Sequence, residues 1–176
     1  MQLISIALLC LADACLLGAP LAKDNEPSEY QIKAAFLYNL AKFIEWPLHS
    51  MEPDGPFTVG ILGDDPFGQI LDETLLGKAI KGHPILIRRG RRPEYFRDCQ
   101  IVYVSASEKS QMRRVLEILK GQEVLTVSEG EDFTQQGGAL SFFWSDNQIH
   151  LEVNLRVVED AHLKISSKVL ALAKIM

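Results

Sequence analysis

The sequence lacks the residues and motifs on which many enzymes and small exported domains depend. Three of its 176 residues are cysteine, and two of these, Cys10 and Cys15, lie close to the N-terminus. Neither G-x-G-x-x-G nor G-x-x-x-x-G-K-[ST] occurs, which argues against binding of dinucleotides and nucleoside triphosphates. The histidines are scattered without the spacing of zinc ligands, and no G-x-S-x-G nucleophile elbow is present. We therefore predict no catalytic residue, no cofactor and no metal ion.

Positive charge is also in short supply. The chain has 18 basic and 23 acidic residues and a formal net charge of −5, which is unlike that of a general nucleic-acid binder. The one dense cationic run is RRGRR, from Arg88 to Arg92. This run could hold a phosphate, an acidic glycan or an acidic protein surface, although a solvated loop is the plainer interpretation.

The longest apolar run of the sequence lies at the N-terminus. Residues 1–17 read MQLISIALLCLADACLL and are followed by small residues up to Ala22. This run is shorter than the about 20 apolar residues that span a membrane. We predict a secretory signal peptide over residues 1–22 and a single domain over residues 23–176. Two alternatives stay open, namely lipoprotein processing at Cys15, because LADAC loosely resembles a lipobox, and a buried N-terminal helix of a cytosolic protein.

The first element of the domain is predicted to be a helix that begins at Ser28. Ser28 and Gln31 form an S-x-x-Q capping box, and Pro47 ends the pattern because it disfavours the helical conformation of Trp46. We expect the apolar face of this helix to pack on the core, with Lys33 reaching out of it towards water. At about 100° per residue, that face carries Ile32, Phe36, Leu40 and Phe43.

Apolar runs then alternate with helical patterns along the chain. The predicted strands are PFTVGILG, HPILIRRG, QIVYVSAS and EVLTVSEG. Continuous apolar strands that alternate with helices favour an α/β fold with a mostly parallel sheet covered by helices on both faces. GGALSFFWSDNQIHLEVN predicts a C-terminal antiparallel hairpin, and SSKVLALAKIM, capped by Ser166, predicts a closing helix.

Polar residues at the carboxyl ends of the predicted strands are candidates for a ligand or partner surface, because ligands of open α/β sheets bind there. Acidic residues follow the first strand, arginines end the second, and Ser105 follows the third. A histidine and a glutamate also share one face of the hairpin. The full candidate set is Asp64, Asp65, Arg88, Arg89, Arg91, His150 and Glu152.

Two long blocks of the sequence carry a family signature. The first is AAFLYNLAKFIEWP, and the second is GGALSFFWSDNQIHLEVNLRVVEDAHLKISSKVLALAKI. Together they resemble the YfiR-like (YfiR/HmsC-type) family of periplasmic regulators, over residues 29–175. The residues in register with the family pattern are Phe36, Asn39, Phe43, Trp46, Pro47, Gly137, Gly138, Asn154, Leu163, Ser166, Ser167 and Leu170.

This resemblance implies a periplasmic regulator without enzymatic activity. The best-known members of the family repress an inner-membrane diguanylate cyclase by binding its periplasmic sensor region, which lowers cyclic di-GMP and biofilm formation. The expected partner is thus the periplasmic region of such a cyclase, a second copy of the chain is another, and nucleic acid is not a partner. Family members linked to redox sensing use paired cysteines, whereas Cys99 would be alone after removal of residues 1–22.

Three functional hypotheses stay open on the sequence. A protein-binding repressor should expose an apolar patch, and the FFW run at residues 142–144 is the first candidate. A periplasmic small-molecule-binding protein should instead have a pocket at the strand ends near Asp64, Arg88 and Ser105. An enzyme should show polar side chains that converge in that same pocket.

Overall fold

The computed structural model describes residues 28–47, 50–130, 132–145 and 148–176, and the predicted signal peptide lies outside them. These residues form an α/β domain in which helices and strands alternate along most of the chain. The helices are α1 (Glu29–Phe43), α2 (Gln69–Leu75), α3 (Met112–Leu119), α4 (Asp132–Gln135), α5 (Leu155–Asp160) and α6 (Ser167–Leu170). The strands are β1 (Ile44–Glu45), β2 (Phe57–Leu62), β3 (Ala79–Ile80), β4 (His83–Gly90), β5 (Ile101–Val104), β6 (Leu125–Glu129), β7 (Leu140–Ser145), β8 (Gln148–Val153), β9 (Lys164–Ile165) and β10 (Ala173–Ile175).

Within the described residues, eight strands form the central sheet in the order β10-β8-β7-β6-β5-β2-β4-β3. The strands from β4 to β7 in this order are parallel, and β8 returns antiparallel to β7 as a hairpin. The chain crosses from β2 to β4 on one side and then continues through β5, β6 and β7 on the other. This is a doubly wound order, in which the winding reverses between β2 and β5. The predicted α/β fold with a mostly parallel sheet and an antiparallel hairpin is confirmed.

Helices cover both faces of this sheet, as predicted. On one face, α1 and α2 pack over a core that includes Val59, Ile61 and Tyr103. On the other face, α3 and a 3-10 turn at Pro93–Phe96 pack over a second core that includes Leu62. Every residue of β2 is buried, whichever face it points to. This explains why its sequence is a continuous apolar run and not an alternating one.

The N-terminus of α1 has the predicted capping box. The Ser28 hydroxyl accepts a hydrogen bond from the Gln31 backbone N–H at 3.3 Å. In return, the Gln31 side-chain oxygen accepts a hydrogen bond from the Ser28 backbone N–H at 2.6 Å. These two bonds satisfy backbone donors that the helix itself leaves unpaired.

The buried side of α1 differs from the predicted one. We expected the face that carries Phe36 and Phe43 to pack on the core. Leu40 of that face is buried as expected, and Phe36 and Phe43 pack against the core but are only half-buried, whereas Ala34, Leu37 and Ala41 are fully buried. The small alanine side chains allow the helix backbone to lie close to the sheet, so that the bulky rings are displaced to the flank of the helix. A helical projection weighted by hydrophobicity favours the face with the largest side chains. It therefore does not show that α1 is rotated so that its alanines face the sheet.

The closing helix α6 is present but short. The sequence predicts helix throughout SSKVLALAKIM, yet the helix ends at Leu170 and the chain continues into β10. Strand β10 pairs parallel with β8, and the Met176 N–H donates to the Val153 carbonyl at 3.0 Å. We attribute the change to this pairing, which satisfies backbone groups that an open edge at β8 would leave unpaired.

Gly138 lies at the entry to the hairpin, where a Cβ would be 2.2 Å from the nearest ring carbon of Phe133. We expect Gly138→Ala to lower the free energy of unfolding by about 1–3 kcal/mol, the usual cost of overpacking, in urea unfolding experiments. Gly90→Ala is the matched control, because a Cβ there makes ordinary van der Waals contact with the Phe96 ring at 3.4 Å and the φ of Gly90 is not positive. Equal losses in the two variants would contradict the steric explanation.

Candidate functional site

The two sequence blocks that carry the family signature meet in space. Strand β1, which directly follows α1, pairs antiparallel with β9 and places Ile44 opposite Ile165. The Ser166 backbone N–H also donates to the Phe43 carbonyl at 3.0 Å. These main-chain bonds hold α6 beside the C-terminal half of α1, so that residues distant in the sequence line one groove.

This groove, between α1, β8 and α6, is largely apolar and has a volume of about 170 Å³. Its α1 wall is formed by signature residues, and its α6 wall ends in Leu172, which is 70% exposed. The Lys168 ammonium lies at the rim, 5.7 Å from the centre of the Phe43 ring. The side chains that line the groove include Phe36, Asn39, Phe43, Leu151, Lys168 and Leu172.

Two further signature residues make the contacts that hold the frame around the groove. The Trp46 ring packs edge-on against Phe57, with ring centres 5.2 Å apart, and its indole N–H donates to a backbone carbonyl of α1. Asn154 caps α5, because its side-chain oxygen accepts from the Val157 N–H at 3.3 Å. The Asn154 amide also donates to the Thr134 carbonyl at 3.1 Å and so ties α5 to α4.

Other signature residues have local structural roles. Leu163 is fully buried in the larger core. Gly137 adopts a φ of 102° in the turn before β7, a conformation that favours glycine. The Pro47 carbonyl accepts a hydrogen bond from Ser50. At the start of α6, the Ser166 hydroxyl is buried without a hydrogen-bond partner among the described residues, whereas Ser167 is exposed.

An apolar band continues from the groove to the hairpin. Phe142 lies buried beneath Phe36, with ring centres 5.9 Å apart. Trp144 lies on the same face of β7, paired with Ile149, and is 51% exposed. Phe143 points to the opposite face. The FFW run therefore contributes one buried and one exposed ring to the α1 side of the sheet.

Charged residues at the strand ends are paired with one another. Arg89 contacts Asp65 at 2.7 Å and Asp72 at 2.6 Å. Arg91 contacts Asp64. The hydrogen bonds to Asp72 and Asp65 raise the pKa of Arg89, although burial partly opposes them. These candidate residues therefore largely neutralise each other in the free chain.

Arg88 and Ser105 do not join this group. Arg88 points to the opposite face of the sheet from its neighbour Arg89 and donates to Asp98 at 2.5 and 3.0 Å, which lowers the pKa of Asp98. The crevice between the ends of β2 and β5 is crowded, because a Cβ at Gly63 would lie 2.4 Å from the Ser107 hydroxyl. The Ser105 hydroxyl is buried and accepts a hydrogen bond from the Ser107 N–H at 3.3 Å. In the described part of the chain, Asp64, Arg88 and Ser105 therefore do not converge on one pocket.

His150 and Glu152 share one face of β8, but they do not form a joint exposed surface. The His150 ring stacks on Phe143, with ring centres 5.4 Å apart. Glu152 is 1% exposed, accepts a hydrogen bond from the Thr134 hydroxyl at 3.1 Å and pairs with Lys174 at 3.1 Å. Because β10 pairs with β8, Glu152 lies inside the sheet and not at an open edge.

A buried polar cluster beneath the first half of α1 is absent from the sequence prediction. Lys33, which we expected to reach water, is 3% exposed, and its ammonium lies 3.0 Å from the Glu129 carboxylate. It also contacts Glu29 and lies 4.8 Å from the centre of the Tyr30 ring. The Tyr103 hydroxyl donates to Glu129. A lysine within the apolar arc was the available signal, since a buried charge needs a partner, but no spacing identifies Glu129.

Burial shifts two titratable groups of the core. It raises the pKa of Tyr103, and the hydrogen bond to Glu129 raises it further. Burial also raises the pKa of Cys99 to about 12, with only partial compensation by the Arg88 charge. The Cys99 thiol is therefore protonated at neutral pH and unsuited to nucleophilic or redox chemistry.

The described residues were compared with the requirements for a metal site and for a membrane-spanning helix. They contain no group of three His, Cys, Asp or Glu side chains that could hold a metal ion. None of their helices is long and apolar enough to cross a bilayer.

Comparison with known proteins gives a family match and distant structural likenesses. The sequence matches the YfiR/HmsC-like family over residues 30–174. No match is found among curated proteins. A conserved domain protein from Vibrio cholerae O1 biovar El Tor has a TM-score of 0.61 at 9% identity. The ABC domain from Streptococcus pneumoniae, solved in complex with L-Trp, has a TM-score of 0.54 at 9% identity. Each likeness covers 84% of this chain and 60% of the other chain, and it shows the fold alone.

The cluster around Lys33 predicts a specific loss of stability. We expect Lys33→Met to lower the free energy of unfolding by about 2–3 kcal/mol, because two carboxylates lose their shared cation. This is less than the 3–5 kcal/mol of a fully buried pair, since the Glu129 side chain is 27% exposed. Chemical unfolding measures the loss.

Exposed Lys42→Met is the control and should be nearly neutral. Adding Glu129→Gln to Lys33→Met should restore part of the lost free energy of unfolding. A neutral Lys33→Met variant would contradict the ion pair.

The raised pKa of Tyr103 predicts an alkaline loss of stability. Tyr103 stays neutral in the folded protein, whereas in the unfolded chain it ionises near its ordinary pKa of 10.0. Its contribution to stability is therefore complete below pH 10 and is lost as the pH rises above that value. We expect Tyr103→Phe to show a shallower decline of the free energy of unfolding above pH 10 than the wild type. Parallel curves for the two proteins would contradict this assignment.

Proposed function

Because this chain belongs to the YfiR/HmsC-like family of periplasmic regulators of cyclic di-GMP signalling, we propose that it is a non-enzymatic repressor of a membrane-bound diguanylate cyclase. It binds the periplasmic sensor region of the cyclase and so lowers cyclic di-GMP and biofilm formation. The observation that carries this proposal is the apolar groove between α1 and α6, because both blocks of the family signature form its walls. An exposed apolar surface of this kind suits a protein partner.

Repression by binding needs no catalytic group. A protein that prefers the inactive state of the cyclase shifts the population towards that state, by an amount set by its difference in affinity for the two states. Complete reversal of a roughly hundredfold population ratio takes about 5.5 kcal/mol of such preference. A few buried aromatic and aliphatic anchors can supply that free energy, and Phe36, Phe43 and Leu172 are the anchors that the groove offers.

The site of action is the periplasm. In this proposal residues 1–22 export the chain and residues 23–176 form the working domain, with lipoprotein processing at Cys15 as the less favoured route. A domain that folds around a buried Cys99 with a raised pKa is compatible with an oxidising compartment, because its lone thiol is shielded from oxidation.

The proposal predicts the effect of the gene on cyclic di-GMP. We expect deletion in the bacterium that encodes this protein to raise intracellular cyclic di-GMP, and an exported copy, but not one lacking residues 1–22, to reverse the rise. Mass spectrometry of nucleotide extracts measures the level. An unchanged level after deletion, under several growth conditions, would argue against repression of a cyclase.

A pair of leucine variants then tests the groove. Leu172→Asp places a charge in the groove and should raise cyclic di-GMP to near the deletion level. Leu76→Asp is the matched control, because Leu76 is 82% exposed and lies after α2, outside the groove. It should leave repression intact, and immunoblots should show equal amounts of both variants. Full repression by Leu172→Asp would exclude the groove as the contact surface.

A further inference from the structure

We propose that the groove and its extension along the hairpin hold one amphipathic helix of the partner, oriented antiparallel to α1. This inference rests on the proposed function, because it specifies which part of the partner is bound. We name this surface the α1 channel, and define it by Phe36, Phe43, Phe142, Trp144, Leu151 and Leu172. The channel comprises two cavities beside α1, one at α6 and one at the hairpin, and Phe36 packs on Phe142 between them.

The floor of the α1 channel is one face of the sheet. Strand register places Phe142 beside Leu151, Trp144 beside Ile149, and Leu151 beside Ala173, so all of these side chains point to the face that α1 covers in part. Over this part of the sheet, the described chain places the four-residue helix α6 beside α1, and Trp144 remains 51% exposed. Layered α/β domains bury such a face under a helix, which makes a helix the element that would complete the layer.

The two ends of the α1 channel have opposite charge. At the hairpin end, beside a cavity of about 260 Å³, Glu29 and Glu129 both contact Lys33, and these three described side chains together carry a net negative charge. At the α6 end, the ammonium groups of Lys42 and Lys168 lie 6.0 and 5.7 Å from the centre of the Phe43 ring. A complementary helix has basic residues at the hairpin end and acidic residues at the α6 end.

This polarity determines the orientation of the bound helix. Helices favour acidic residues in the first turn and basic residues in the last turn, because these charges oppose the helix dipole. A helix of this kind would place its last turn near Glu29 and its first turn near Lys168. Since α1 runs from Glu29 towards Phe43, the bound helix is antiparallel to α1.

A second copy of this chain fits the α1 channel less well. Its own α1 has the required charge order, with Glu29 in the first turn and Lys42 in the last. However, the inner side of that helix is buried in its own core through Ala34, Leu37 and Ala41. Only the flank of that helix could reach the channel, so it would offer little apolar surface to the exposed Trp144 and Leu172. A partner helix whose apolar face is not already buried in its own domain can cover the channel.

Site-specific photocrosslinking tests both the occupant and its orientation. A benzoylphenylalanine replaces Trp144 or Leu172 in the full chain, in cells of the bacterium that encodes it, and mass spectrometry identifies the crosslinked residues. Both positions are at least half exposed, so the replacements should preserve the fold. Leu86 on β4 is the control position, because it is 45% exposed at the far side of the sheet.

We expect the crosslinks from Leu172 and Trp144 to fall on one helical segment of one membrane protein, at positions that share a helix face. The residue reached from Leu172 should precede the residue reached from Trp144 in that sequence, and Leu86 should give no crosslink to that protein.

Crosslinks to a second copy of this chain, to a non-helical segment or in the reverse order would overturn the inference. Absence of crosslinks, while deletion still raises cyclic di-GMP, would overturn it too and leave the proposed function standing. The expected pattern without any change in cyclic di-GMP would support the inference and refute the proposed function.

A charge reversal provides an independent check. Lys42→Glu with Lys168→Glu should weaken binding of the purified partner domain by roughly fivefold, as expected for two exposed ion pairs. Reversal of the acidic residues that the crosslinks place opposite them should restore the affinity. The control is Lys109→Glu with Lys120→Glu, which changes net charge equally beside α3 and should leave the affinity unchanged. Equal weakening by both double variants would overturn the polarity of the channel.

Discussion

The short pairing of β1 with β9 is the contact on which the groove depends. It joins Ile44, directly after the first helix, to Ile165, which follows the parallel strands from β2 to β7 in the sequence. Helix α6 has four residues and could not persist without such support, because isolated helices of that length are unstable in water. The pairing therefore determines where Lys168 and Leu172 lie relative to Phe43. It also explains why the family signature has two separate blocks, since each block supplies one wall of the same groove.

Features that depend on neighbours in the sequence could be predicted. The capping box of Ser28 and Gln31 is a local pattern, and the continuous apolar strands follow from burial on both faces of the sheet. Features decided by tertiary contact could not. The choice between two sides of α1 depended on how closely Ala34 and Ala41 approach the sheet, and β10 depends on an open position beside β8. Neither constraint can be read from periodicity.

The candidate site shows the same division. Sequence reasoning grouped Arg88 with Arg89, although neighbouring residues of a strand point to opposite faces and these two contact different acidic partners. It also left Lys33 without a partner, because Glu129 is far away in the sequence. The resemblance grouped Phe36, Asn39 and Phe43 on the first helix, but their position beside α6 in one groove depends on the fold.

The position of β9, α6 and β10 after the rest of the domain in the sequence has a consequence for biogenesis. The parallel sheet can form from residues that are synthesised earlier, whereas one wall of the groove does not exist until these elements have been made and have docked on α1. A nascent or truncated chain that ends before β9 would therefore lack this wall of the groove, together with Leu163 and Val169 of the larger core. Recognition of the groove by a partner would thus distinguish complete molecules from unfinished ones, so that quality control and regulation would use the same surface.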